Sequence, residues 1–365
     1  MAKTVLINAL DIIPMGTHGY TTGIGRVNRG MLRAMATIND PDINIEIYCE
    51  QTQAPRYDGA EWPFKYHRFI LPGRIFNATP IEQWWRRLTC TYDLLHLTAN
   101  FGSVDAKEKF VVTVHDVLML NARPYYKRPF TNSVRRSRAI ATCSEHTKGD
   151  IIKAFGVPAD KISVIPWGID HTFFYPRSNE EIIVVKARYG ISGNYFFACS
   201  CDSPRKNARY VVAAFRQYLR HNGDGTLVMA WHHPPQEILD TYADELREGR
   251  LRLIGDVSDN DLAALYAGAL ATFFVSSYEG FGFPILESLA CGTPCVTCHN
   301  SSLPEVGGDK ACYVKEKDAD AIADAMFNYA HNGKGDTAAL TAHARRFSWD
   351  TAVRQYLDLY KRCIY

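Results

Sequence analysis

At 365 residues, 47% hydrophobic and 22% charged, the chain exceeds one ordinary domain of about 100–200 residues and is too apolar for a disordered segment. A formal net charge of +2 and the lack of any nucleic-acid-binding motif argue against a nucleic-acid partner. There is no run of about 18 apolar residues to span a bilayer, and "MAKTVLINALDIIPMG" lacks the features of a secretory leader, so the cytoplasm is the expected location.

The first 170 residues alternate short apolar runs with helical patterns. Strands are expected at Thr4–Ala9, Ile43–Tyr48, Lys65–Leu71, Leu94–Leu97, Phe110–Val114 and Ala139–Cys143, with helices at Ile24–Ala36 and Glu145–Phe155. After the first strand, "DIIPMGTHGYTTGIGRVNRG" sets glycines at 16, 19, 23 and 25 around a helix start. Such glycines let the backbone approach a ligand, and a helix N-terminus offers N–H groups to a phosphate; a flexible loop explains them equally well. The spacing is not GxGxxG, because Gly30 is the next glycine after Gly25, and a dinucleotide site is disfavoured. "FVVTVHDVLML" ends an apolar strand in His115 and Asp116, at the rim where parallel sheets bind ligands; the plainer reading is that Asp116 starts a turn. This half is basic, with 21 Lys and Arg against 16 Asp and Glu, while the rest carries 20 against 23. Basic residues interleave with aromatics in "WWRRL" and "ARPYYKRPF", followed by "RRSR". This pattern suits an anionic membrane surface or acceptor, with solvated helix faces as the alternative.

Prolines, a glycine and aromatics break the alternation at "IPWGIDHTFFYPRSNEE", Ile165–Glu181. Beyond it, strands are expected at Tyr195–Ser200, Leu227–Trp231, Leu251–Ile254, Ala271–Val275, Pro294–Thr297 and Ala311–Val314. Helices begin near Asn207, Gln236, Asp259 and Pro284. The expected fold is α/β: two doubly wound, Rossmann-like domains, 1–170 and 171–345, facing across a cleft, with a helix at 346–365 packing back on the first. In "CSCDSPRKNARYVVAAF", Arg205 and Lys206 precede a helix N-terminus, where cations gain nothing from the dipole unless an anion lies between. In "SSYEGFGFPILESLACGTP", Glu279 ends a buried strand, Pro284 opens a helix, and Glu287 closes its first turn; dipole compensation and a turn are the bland readings of the two glutamates. "CGTPCVTCH" has the spacing of an iron–sulfur motif, but Cys295 and Cys298 fall on opposite faces of a strand, which disfavours a metal. The ten cysteines read as reduced, buried thiols. "DAD" at 318–320 mimics a metal-binding motif but reads as a helix cap.

Taken together, these segments resemble the retaining glycosyltransferases of family 4, which have the GT-B fold. The resemblance rests on the E-x7-E pair Glu279 and Glu287 in "YEGFGFPILESLACGTPCV", with "SSLPEVGGDKACYV", "SPRKNARYVVAAF", "LRLIGDVSDNDLAALYAGALATFFVSSYEG", "TCSEHTKGDIIKAFGVPADKISVIPWGID", "TVHDV" and "TGIGRVNRG", and runs from about residue 3 to 330. It implies a nucleotide-diphosphate sugar held mainly by the second domain. Glu279 would meet the sugar hydroxyls and Glu287 the ribose; amides of Phe281, Gly282 and Phe283 would reach the sugar or diphosphate. Arg205 and Lys206 would hold the diphosphate, the Gly23 and Gly25 loop would close over it, His115 would sit at the reaction centre, and the turn at Asp256 and Val257 would read the base. Pro284 departs from the family, where that position often has an N–H.

Retention is implied as well, with a phosphate oxygen taking the acceptor proton, so no metal or cofactor is required, and Asp116 is a candidate to position or deprotonate the acceptor. The separation of a glycosidase carboxylate pair is the wrong template for Glu279 and Glu287. The "SLPEVGGD" and "PRKN" forms look like bacterial polysaccharide mannosyltransferases, pointing to GDP-mannose as donor, with UDP-hexoses as the open alternative, and to a glycan or lipid-linked acceptor. Other sugar-nucleotide chemistry on this fold (an epimerase or phosphorylase) and a non-catalytic sugar-nucleotide-binding protein are the alternatives.

Overall fold

The computed structural model describes residues 2–9, 23–50, 56–57, 60–69, 79–122, 124–255 and 257–365. They fall into two units: residues 1–168 with 348–365, and residues 169–347.

The first unit is built on a parallel sheet whose strands are β1 (Lys3–Asn8), β2 (Ile43–Glu50), β5 (Lys65–Phe69), β6 (Leu94–Leu97), β7 (Phe110–Val114), β8 (Ala139–Thr142) and β9 (Ile162–Val164). Their order is β5-β2-β1-β6-β7-β8-β9, and β3 (Arg56–Tyr57) and β4 (Ala60–Glu61) form a separate antiparallel pair. Alternation along β1 explains the two cores. Val5 and Ile7 point to one face, under the helix Gly23–Thr37 and the C-terminal helix Trp349–Ile364; Leu6 points to the other, with Tyr48, Val112, Phe130 and Phe155.

The C-terminal helix is tied down by polar as well as apolar contacts. Tyr360 Oη lies 2.7 Å from His96 Nδ1, His96 Nε2 lies 2.8 Å from Thr113 Oγ1, and Tyr356 Oη lies 3.3 Å from the same Thr113 oxygen. Gly30 permits the crossing with the first helix, since a Cβ there would come within 2.3 Å of the Trp349 ring.

The second unit holds β10 (Tyr195–Ala198), β11 (Thr226–Ala230), β12 (Leu251–Ile254), β13 (Thr272–Phe274), β14 (Cys295–Cys298) and β15 (Cys312–Val314), all parallel, in the order β12-β11-β10-β13-β14-β15. In both sheets the strand order thus reverses beside the first strand, the doubly wound arrangement expected from the alternation. Two features differ from the sequence reading. Strand β9 was not anticipated, and a helix, Asn179–Arg188, opened by a capping box of Ser178 and Glu181, begins inside the last residues of the segment assigned to the interdomain break. Among the described residues no helix is long and apolar enough to cross a membrane, and no three His, Cys, Asp or Glu side chains group as metal ligands. Cys291, Cys295 and Cys298 are buried and free.

Candidate functional site

Strand β10 is followed by a 3-10 turn, Pro204–Lys206, and then by the helix Ala208–Arg220. Asn207 makes the left-handed step between them at φ 56°. Its Nδ2 donates to the Val275 carbonyl at 2.9 Å and to Ser277 Oγ at 2.8 Å, while Ser277 N donates to the Arg205 carbonyl at 2.8 Å. The turn after β10 is therefore fastened to the turn after β13. These two strands flank the point where the strand order reverses, the place where an open parallel sheet binds ligand.

Three of the residues singled out in the sequence meet there on one atom. Glu279 Oε1 accepts from Arg205 Nη1 at 2.5 Å and from Lys206 Nζ at 2.6 Å. Arg205 Nη1 also donates to the Tyr278 carbonyl at 2.6 Å, and the Lys206 ammonium stands 4.5 Å from the centroid of the Phe274 ring. Burial holds Lys206 below the usual lysine range, against the upward pull of Glu279. The Glu279 backbone is fixed too. Its N–H donates to Ser301 Oγ at 3.0 Å, and Ser302 Oγ donates to the carbonyls of Glu279 at 2.9 Å and Phe281 at 2.7 Å.

Gly282 then turns the chain at φ 125°, a conformation disfavoured for L side chains, into the helix Phe283–Ala290. That helix has Pro284 in its first turn, no acidic residue there and, among the described residues, no side-chain cap on its positive dipole end. Phe281 is buried and packs edge-on to Phe283, with centroids 5.2 Å apart. Glu287 lies one turn along and is almost completely buried. Tyr266, on the helix Asp259–Gly268, donates its hydroxyl proton to Glu287 Oε2 at 2.8 Å. Cys199 Sγ lies 2.9 Å from the same hydroxyl. Burial pushes the Cys199 thiol up to about 12, so it keeps its proton and serves as the donor to Tyr266. Val257 follows β12 and is half-buried; Asp256 lies outside the described residues.

The remaining predicted residues belong to the first unit. His115 follows β7 and is fully enclosed. Its backbone N–H donates to Asn100 Oδ1 at 2.8 Å, and its ring Nε2 donates to the Thr98 carbonyl at 2.7 Å. That bond fixes the tautomer and leaves a lone pair on Nδ1, which is buried without a hydrogen-bond partner among the described residues. Burial lowers the imidazole to about 4, against the Thr98 bond, so His115 is neutral at pH 7. The Trp167 ring lies 5.2 Å away, centroid to centroid. Asp116 Oδ1 accepts from Leu118 N at 2.9 Å, a turn contact that one oxygen makes. Gly23 is exposed and Gly25 buried at the start of the helix Gly23–Thr37; Gly16 and Gly19 lie outside the described residues.

Sequence reasoning missed the residues that hold these groups in place. "LTAN" after β6 carried a readable signal, because polar Thr98 and Asn100 follow an apolar strand at its carboxyl end. Tyr266 and Cys199 carried none, since either residue in an apolar run reads as core.

Comparison with known proteins adds the following. Residues 21–173 match the family model Glycosyltransferase Family 4, and residues 193–332 match Glycosyl transferases group 1, so the two cover well over half of the chain. The chain is 29% identical to the O-antigen chain mannosyltransferase B of Escherichia coli over 297 residues, 77% of each chain. It is 25% identical to an O-antigen chain mannosyltransferase of Salmonella typhimurium over 342 residues, 87% of this chain and 90% of the relative. In structure it resembles Anabaena HepE, solved in complex with UDP-glucose, with a TM-score of 0.72 and 15% identity over 99% of this chain and 100% of that one.

Proposed function

Since this chain belongs to glycosyltransferase family 4, we propose that it moves mannose from GDP-mannose to a glycan or lipid-linked acceptor in surface polysaccharide synthesis, with retention of anomeric configuration. The observation that carries the reading is the convergence of Arg205, Lys206 and Glu279 at the reversal point of the second sheet, beside an uncapped helix N-terminus.

In this reaction the bond between the sugar's anomeric carbon and the diphosphate oxygen breaks, and the nucleoside diphosphate leaves with the electron pair. The acceptor hydroxyl oxygen bonds to that carbon on the same face, and its proton passes to a diphosphate oxygen. Arg205, Lys206 and the dipole end at Gly282–Phe283 stabilise the charge that develops on the leaving group. When the diphosphate takes the two cations, Glu279 Oε1 is released from them to the sugar hydroxyls. Glu287 holds the ribose and Val257 lies where the base is read, and the family resemblance assigns Gly23 and Gly25, at the start of the helix Gly23–Thr37, to the diphosphate. The resemblance assigns neutral His115, with its acceptor nitrogen Nδ1, to the reaction centre.

The test is a pair of variants assayed with GDP-mannose. Glu287→Gln is expected to weaken donor binding more than turnover, and Glu279→Gln to lower turnover more than donor binding. The reverse pattern would overturn the assignment, and a product of inverted configuration by NMR would overturn the mechanism.

A further inference from the structure

The helix Pro80–Thr89 is built inside out. At about 100° per residue, Ile81, Trp84 and Leu88 share an arc of about 60°, and the middle of that arc lies opposite Arg86. The apolar arc faces outward, with Ile81 47%, Trp84 62% and Leu88 66% exposed, whereas Glu82 and Arg86 on the far side are completely buried. Apolar residues on such a helix ordinarily turn inward.

The buried side shows what imposes the orientation. Arg86 Nη1 donates to Glu82 Oε1 at 2.5 Å, and its Nη2 donates to both Glu108 oxygens at 3.0 and 3.1 Å and to the Ser103 carbonyl at 2.9 Å. Arg86 Nε donates to Tyr92 Oη at 3.2 Å. Trp85 also turns inward, its Nε1 donating to the Arg68 carbonyl at 3.0 Å. Rotating the helix to hide its apolar arc would strip a fully desolvated guanidinium of these partners, so the arc is held outward by the body of the domain.

Among the described residues, the flank of the arc beside Arg87 is rich in cations. Arg87 projects beside it and pairs with Asp105 Oδ2 at 2.8 Å. Arg136 grips the carbonyl of Asp105 at 2.6 Å, and Lys107 and Lys109 are exposed on the same loop. Glu108 turns in to Arg86, so it adds little negative charge to this surface.

We propose that this face is a docking surface for an anionic lipid bilayer. Trp84, Ile81 and Leu88 enter the headgroup boundary, where an indole is favoured, and Arg87, Arg136, Lys107 and Lys109 meet lipid phosphates. The inference extends the proposed lipid-linked acceptor to a named element, but it rests on the helix and not on the donor site.

The experiment is flotation of the purified chain with phosphatidylcholine vesicles, with and without phosphatidylglycerol. Binding is expected only with the anionic lipid, and quenching of Trp84 by brominated lipid is expected to vanish in Trp84→Phe while binding persists. Trp84→Ser and Leu88→Ser should each weaken binding by about tenfold or more, since each forfeits the transfer of a large apolar side chain. Arg87→Glu should weaken it further as salt is lowered. Circular dichroism, thermal unfolding and donor hydrolysis should match the parent, which separates loss of docking from misfolding and from failure of the transferase reading. Anionic vesicles that fail to bind the parent chain would overturn the proposal, as would binding that survives both serine variants. So would a self-associated species in sedimentation that Leu88→Ser dissolves, because a second copy would then cover the face.

Discussion

Tyr266→Phe is the perturbation that most directly separates packing from function in the second unit. It deletes one oxygen from a fully buried ring and removes the proton donated to Glu287 Oε2 at 2.8 Å, while Cys199 Sγ loses its neighbour at 2.9 Å. A hydrogen bond to a charged acceptor contributes about 1.5–3 kcal/mol. About 2 kcal/mol of stability should go, which for a unit of this size lowers the unfolding midpoint by roughly 4–8 °C. The carboxylate also loses the donor that orients it, so GDP affinity should fall about tenfold. Isothermal calorimetry with GDP reads this. Ser288→Ala is the control, because Ser288 sits on the same helix and donates to the Thr293 carbonyl at 2.8 Å without touching Glu287; it should lose stability and keep affinity. If Tyr266→Phe also keeps full GDP affinity, Glu287 does not bind the nucleotide and the ribose assignment is wrong.

Other outcomes follow from the first unit. Asp116→Asn retains an oxygen for Leu118 N but removes the charge, so turnover at saturating donor should drop by about a hundredfold if the carboxylate handles the acceptor, and unchanged turnover reduces Asp116 to a turn residue. His115 should titrate by NMR near pH 4 with its proton on Nε2; a midpoint near 6.5 would refute the enclosed, neutral ring. Because its folded value is depressed, the unfolded chain binds the proton first. Its contribution to stability is therefore full above about pH 6.5 and is lost towards pH 4, at about 1.4 kcal/mol per pH unit. Arg86→Met leaves Glu82 and Glu108 buried without their cation and should cost about 3–5 kcal/mol in urea unfolding; a loss below about 1 kcal/mol would mean the network does not hold the helix Pro80–Thr89.

The sequence by itself determined most of the elements, because their signals are local. Runs such as Leu94–Leu97 and Phe110–Val114 and the helix Glu145–Phe155 fall where their periodicity places them, and "YEGFGFP" specifies a glycine turn and a helix start within seven residues. It also carried the family, through polar residues set at strand ends. The capping box at Ser178 and Glu181 was legible and overlooked. What only the tertiary structure decided is which of these groups meet. Arg205 and Glu279 are separated by 74 residues and touch because β10 and β13 are neighbours, an adjacency created by a reversal of strand order that no local pattern encodes. Tyr266 reads as core until Glu287 is found against its hydroxyl. Likewise, periodicity gives the helix Pro80–Thr89 two faces but cannot say which is buried. Glu108, Tyr92 and Ser103 decide it, since a guanidinium taken from water must keep its partners, and three apolar side chains are left facing out.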